Sequence, residues 1–111
     1  VYAQNNLGWA YDKGQGVLED DKEAVRWYLK AALKGHSQAQ NNLGVMYVKG
    51  EGVPQEPVTA YAWWNIAAFN GNVKAKKAKA LVTKKMTPAE ISMAQELSKK
   101  LLKKHPKAAK Q

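Results

Sequence analysis

Few side chains in this chain of 111 residues are of a type and spacing that could carry chemistry. The two histidines, His36 and His105, fall where a turn and a tail are expected, with no motif tying either to a carboxylate or hydroxyl. Acid–base or nucleophilic catalysis needs such a second group to orient the first. An enzyme is therefore not expected, and both histidines read as exposed. The absence of cysteine excludes disulfides, thiolate zinc sites and a cysteine nucleophile. The acidic run Glu19-Asp20-Asp21, with Glu23 beyond it, invites a calcium site. It lacks the spaced carboxylates and distal glutamate of a calcium loop. Carboxylates at a helix start are favoured by the helix dipole, by about 0.3–1 kcal/mol each. Helix capping is the expected role, and no metal or other cofactor is expected.

The net charge of +9 suggests a polyanion binder until it is divided along the chain. Residues 1–71 hold six Lys/Arg against seven Asp/Glu, whereas residues 72–111 hold twelve against two. The excess lies in Lys74, Lys76, Lys77, Lys79, Lys84 and Lys85, then Lys99, Lys100, Lys103 and Lys104. Nucleic-acid modules usually pair such charge with stacking aromatics, and residues 72–111 contain none. No nucleic acid is expected. A solvated, solubilising end is the plainer reading. The alternative is electrostatic binding of an anionic polymer or membrane surface through Lys99, Lys100, Lys103 and Lys104, weakening with salt.

The elements that position these residues are set by a repeat. Ala3-Gln4-Asn5-Asn6-Leu7-Gly8 with Tyr11, Lys13, Gly14, Gly16 and Val17 returns as Ala39-Gln40-Asn41-Asn42-Leu43-Gly44 with Tyr47, Lys49, Gly50, Gly52 and Val53. The offset is 36 residues without a gap, and Ala24, Trp27, Ala31, Ala32 and Gly35 return as Ala60, Trp63, Ala67, Ala68 and Gly71. A fixed period of this size signals stacked helical units. The apolar spacing predicts a helix from Val1 to about Lys13, a second from the Glu19–Asp21 cap cluster to about Lys34, a third from about Gln38 to Lys49 (capped by Ser37) and a fourth with Pro57 near its first turn, running to Gly71. Gly14-Gln15-Gly16 and Gly50-Glu51-Gly52 make the reversals within the repeats, and Gly35 and Gly71 close their second helices. The third unit starts in register at Ala75 and then drifts, with Lys79 for Leu43, Ala80 for Gly44 and Thr83 for Tyr47. Thr87-Pro88-Ala89-Glu90 is a capping box that starts a last helix to about Lys104. The expected organisation is repeat 1 over 1–35, its first helix shortened, and repeat 2 over 36–71. A degenerate third repeat with a capping helix follows over 72–104, then a frayed basic tail over 105–111. Because Val1 already lies inside a repeat, further helix is expected upstream. No apolar run approaches the roughly 20 residues that span a bilayer.

The segments Leu7-Gly8-x-x-Tyr11 and Leu43-Gly44-x-x-Tyr47 match the core signature of tetratricopeptide repeats. The 36-residue period, the Gly-x-Gly-Val turn and the endings Trp27…Ala31-Ala32…Gly35 and Trp63…Ala67-Ala68…Gly71 resemble a close relative, the Sel-one-like repeat family. Met86 to Ala94 is similar to the terminal helix of bacterial members. The resemblance implies an all-α, right-handed α-solenoid of antiparallel helix pairs. Its first helices would line a groove that holds partner proteins or peptides, so the chain would be a non-catalytic interaction module or scaffold. Many bacterial members are exported, which favours a periplasmic or extracellular place on resemblance alone.

On the second repeat's first helix, Ala39, Leu43, Met46 and Tyr47 form the packed face. Gln38, Asn42, Val45 and Lys49 form an adjacent stripe, matched by Asn6, Trp9 and Lys13 in the first repeat. These seven residues are the candidate partner-binding set. Trp9 is its apolar anchor, since its counterpart Val45 shows that the repeat does not demand a ring. Asn6 and Asn42 either grip a peptide backbone or bond neighbouring repeats. The paired aromatics Trp27/Trp63 and Tyr11/Tyr47 are expected in the core. The exposed first helix also offers a surface for a second copy of the chain.

Overall fold

In the computed structural model, residues 2–14 and 20–109 are described. They form six α-helices: α1 (Tyr2–Lys13), α2 (Asp21–Ala32), α3 (Ser37–Lys49), α4 (Pro57–Phe69), α5 (Val73–Thr83) and α6 (Pro88–Lys104), followed by a 3₁₀ turn, Pro106–Ala108. Of the first Gly-x-Gly turn, Gly14 is described, whereas Gln15, Gly16, Val17 and the Glu19 of the acidic run lie outside the described residues, as do Lys110 and Gln111.

Local chemistry accounts for the helix limits. Asp20 caps α2, its Oδ1 accepting from the Glu23 N–H at 3.2 Å. Asn72 caps α5 in the same way through Ala75. At α6 the capping box is complete: Thr87 Oγ1 accepts from the Glu90 N–H at 3.1 Å, and Glu90 Oε1 accepts from the Thr87 N–H at 2.8 Å. Ser37 differs from expectation. It is the first residue of α3, and His36 occupies the cap without a side-chain bond to the helix. Pro57 opens α4, where a missing N–H costs nothing. At the end of α2, Gly35 N–H bonds the Ala32 carbonyl and His36 N–H bonds that of Ala31. This reversal needs the left-handed backbone that Gly35 adopts at φ 91°.

The helices pack in sequence order. α1 lies on α2, α2 on α3 and α3 on α4, while α5 and α6 both lie on α4. The molecule measures 42 × 29 × 23 Å. α4 is the central element, buried almost all round by its neighbours. Its Trp63 and Ile66 join Ala24, Tyr28, Leu43 and Met46 in a first core. Its Ala60, Trp64 and Ala67 join Ala75, Val82 and Ala94 in a second. Close approach of helices is set by Gly8 and Gly44. A Cβ on Gly8 would lie 2.5 Å from Tyr28 Cδ1, and one on Gly44 would enter the Trp64 indole. Trp64 fills that space and donates from Nε1 to the Asn41 carbonyl at 3.2 Å.

The end of the chain is not frayed over 105–109. Ala108 is fully buried. Its carbonyl accepts from Gln40 Nε2 at 2.8 Å and from Asn70 Nδ2 at 2.9 Å. The 3₁₀ turn thus straps back over the ends of α2, α3 and α4, where a Cβ on Gly35 would press on the Lys107 carbonyl. Two buried amides explain the docking. Each must satisfy its N–H groups away from water, and the strap supplies the acceptor.

Candidate functional site

The first helices of the three units, α1, α3 and α5, stand side by side. Asn42 Nδ2 on α3 donates to Asn5 Oδ1 on α1 at 3.2 Å. On the other side, Val48 of α3 and Ala78, Leu81 and Val82 of α5 line a cleft of about 200 Å³, with Trp64 in its lining and Lys85 at its rim. The face these helices present is built by one rule. Trp9, Val45 and Leu81 are separated by the 36-residue repeat, and so are Lys13, Lys49 and Lys85. In each unit the lysine follows the apolar residue by four positions: Lys13 and Lys49 end α1 and α3, one turn from Trp9 and Val45, and Lys85 lies in the turn after α5. Trp9 is 47% exposed and Leu81 64% exposed, whereas Val45 is half-buried against the second core. All three lysines are exposed.

Of the seven expected contact residues, Asn6, Trp9, Lys13 and Lys49 are exposed, and Gln38, Asn42 and Val45 are half-buried. Asn42 bonds Asn5 of the neighbouring unit, while Asn6 turns to solvent. Those seven leave out Leu81 and Lys85, the counterparts of Val45 and Lys49 in the third unit. The signal was present, because a step of 36 from Val45 and Lys49 lands on them. The drifted signature positions of the third unit concealed it. At one of these, Lys79 replaces a core leucine and is satisfied inside, donating to Asn65 Oδ1 at 3.1 Å beside the Tyr61 ring.

The other expected groups have local roles. Lys99, Lys100, Lys103 and Lys104 stand exposed on α6, and Lys99 pairs with Glu96 at 3.5 Å. A wider cleft of about 530 Å³ beside α6 is lined by Val58, Met93 and Leu97 with both Glu96 and Lys100. Neither histidine is fully exposed, contrary to expectation. His36 is half-buried at the α3 cap, and burial lowers its pKa. His105 is half-buried at the end of α6. Trp63 is core, as expected, but Trp27 is only half-buried and carries Lys30 Nζ 4.3 Å from its ring centroid. Tyr28 Oη donates to Asp12 Oδ2 at 3.1 Å, and burial together with that carboxylate raises the phenol pKa. Among the described residues no cluster of His, Asp and Glu could hold a metal ion, and no helix is long and apolar enough to cross a membrane.

Comparison with known proteins fits this repeat geometry. The Sel1 repeat model matches residues 1–36 and again 37–72. The chain belongs to the Sel1 repeat family. A crystal structure of a protective antigen from uropathogenic Escherichia coli strains, which displays the Sel1-like repeat (SLR) fold, superimposes with a TM-score of 0.90 at 38% identity. It covers 96% of this chain, which spans 23% of that protein. A Sel1 repeat protein from Oxalobacter formigenes superimposes with a TM-score of 0.69 at 44% identity, over 71% of this chain and 59% of that one. No curated protein matches the chain. Sel1 repeats are typically protein-interaction modules and usually non-catalytic.

Proposed function

We propose that this Sel1 repeat unit is a non-catalytic binding module that holds an extended segment of a partner protein across α1, α3 and α5. Trp9 serves as the apolar anchor. Val45 and Leu81 continue its row, and Asn6, Gln38, Asn42, Lys13 and Lys49 supply polar contacts. The observation that carries this reading is the exposure of Trp9 and Leu81 at the same repeat position. Large apolar side chains held in water on a rigid scaffold are the usual centres of an interface, and flanking polar groups form its rim.

Site-specific photocrosslinking tests the reading. A benzophenone amino acid at Trp9 and one at Leu81 should capture the same protein from bacterial envelope and cytosolic fractions. The same group at Met93, 59% exposed in the cleft beside α6, should not. Capture that is equal from all three positions would overturn the proposal.

A further inference from the structure

We propose that the partner segment is acidic, with an apolar side chain seated in the cleft between α3 and α5 and carboxylates reaching Lys49 and Lys85. This rests on the reading of the α1–α3–α5 face as the binding face. α3 and α5 contain no Asp or Glu, and Asp12 is the one carboxylate of α1. Asp12 lies 4.0 Å from Lys13 and accepts from the Tyr28 hydroxyl, so the α1 lysine already has a counter-charge. Among the described residues Lys49 and Lys85 have no ion pair.

A lysine in the last turn of a helix is favoured by the dipole, which accounts for Lys49 by itself. It does not account for the rest of the pattern. Lys74, Lys77 and Leu81 share an exposed face of α5 by helical spacing, and Lys85 follows in the turn after it, without a carboxylate among them. Like charges gathered beside an apolar cleft repel one another and are relieved by an opposite charge. A segment that brings carboxylates and one apolar side chain relieves that repulsion and fills about 200 Å³ that Val48, Leu81 and Val82 line. The α6 cleft is the poorer receptor for such a segment, because Glu96 stands in its lining.

Fluorescence anisotropy with three labelled peptides tests the inference. The first carries one leucine flanked by glutamates; the second replaces the glutamates by glutamine; the third replaces the leucine by serine. The variants are Lys49→Glu/Lys85→Glu, Leu81→Ser and, as a control on the other lysine group, Lys99→Glu/Lys100→Glu. All five positions are exposed, so no core contact is removed, and circular dichroism checks that each variant folds. The wild type should prefer the first peptide over the glutamine peptide by about fivefold to tenfold near physiological salt, as two exposed charge pairs allow. Lys49→Glu/Lys85→Glu should abolish that preference, Leu81→Ser should weaken binding several-fold, and the control should bind as the wild type does. Equal binding of the glutamine peptide, still sensitive to Leu81→Ser, would overturn the acidic partner and leave the binding face intact. Equal binding of the serine peptide, lost in the Lys99→Glu/Lys100→Glu control, would overturn both in favour of a plain polyanion surface. Binding of none of the three overturns the acidic partner, while the crosslinking result continues to judge the face.

Discussion

Leu7 and Leu43 hold the same position in successive repeats, yet Leu43 is fully buried and Leu7 is 39% exposed. The difference lies in what covers them. α3 has α2 on one side and α4 on the other, whereas α1 packs mainly on α2. Truncating Leu43 to Ala should therefore cost about 2–5 kcal/mol, through lost burial and the cavity left behind. The same change at Leu7 should cost on the order of 1 kcal/mol, because part of the side chain already meets water. Urea unfolding of the two variants compares them directly, and equal losses would contradict the burial asymmetry.

Gly44→Ala should destabilise the protein although alanine is the better helix former. The propensity gain is about 1 kcal/mol. The added methyl meets the rigid indole of Trp64, itself fixed by its bond to the Asn41 carbonyl. Overpacking of that kind costs about 1–3 kcal/mol, so the thermal midpoint should fall. A double variant, Gly44→Ala/Trp64→Leu, should recover part of the loss if the clash is its cause.

Gln40→Ala should be among the most damaging polar substitutions. The Gln40 amide donates to the Ala32 and Ala108 carbonyls and accepts from Asn70 Nδ2, all inside the fold. Removing it leaves buried groups short of partners, at about 1–3 kcal/mol each. The expected loss is on the order of 3 kcal/mol, against almost none for Gln95→Ala on the exposed side of α6. Hydrogen exchange at Ala108 and Ala109 should quicken in Gln40→Ala and stay unchanged in Gln95→Ala.

Acidification should weaken the fold through His36. Burial holds its pKa below the ordinary value, so the folded state takes up a proton less readily than the unfolded chain. The sign follows from linkage: stability is full above about pH 6.5, the unfolded histidine value, and is lost as pH falls below it. The urea midpoint should drop between about pH 7.5 and pH 5.5, and His36→Asn should flatten that slope.

Much of this fold could be read from the residues alone, because repeated Leu-Gly-x-x-Tyr segments and paired Ala faces require helices that meet closely at fixed intervals. The stripe of Trp9, Lys13 and Lys49 was legible for the same reason, since residues left over after the packed face is assigned must turn elsewhere. Leu81 and Lys85 are harder to read because the third unit departs from the repeat at its signature positions, where Lys79 stands for a core leucine. Trp27 departs from its expected core place because a repeat position fixes which way a side chain points, not whether a neighbour is there to cover it. The docking of Ala108 had no local signal. Pro106-Lys107-Ala108 carries no periodicity, and the partner that holds it, Gln40, lies 68 residues away in the chain.

That distance changes how the molecule should come apart. A stack of units that touch only their neighbours can lose its terminal unit without disturbing the rest, and its folding needs few distant encounters. Here the last turn is fastened to the junction of the first two units. Peeling α6 away therefore breaks bonds at Gln40 and Asn70 as well as its own packing on α4. The array should melt in a single cooperative step, because the strap makes the last helix and the junction of the first two units share one set of buried bonds.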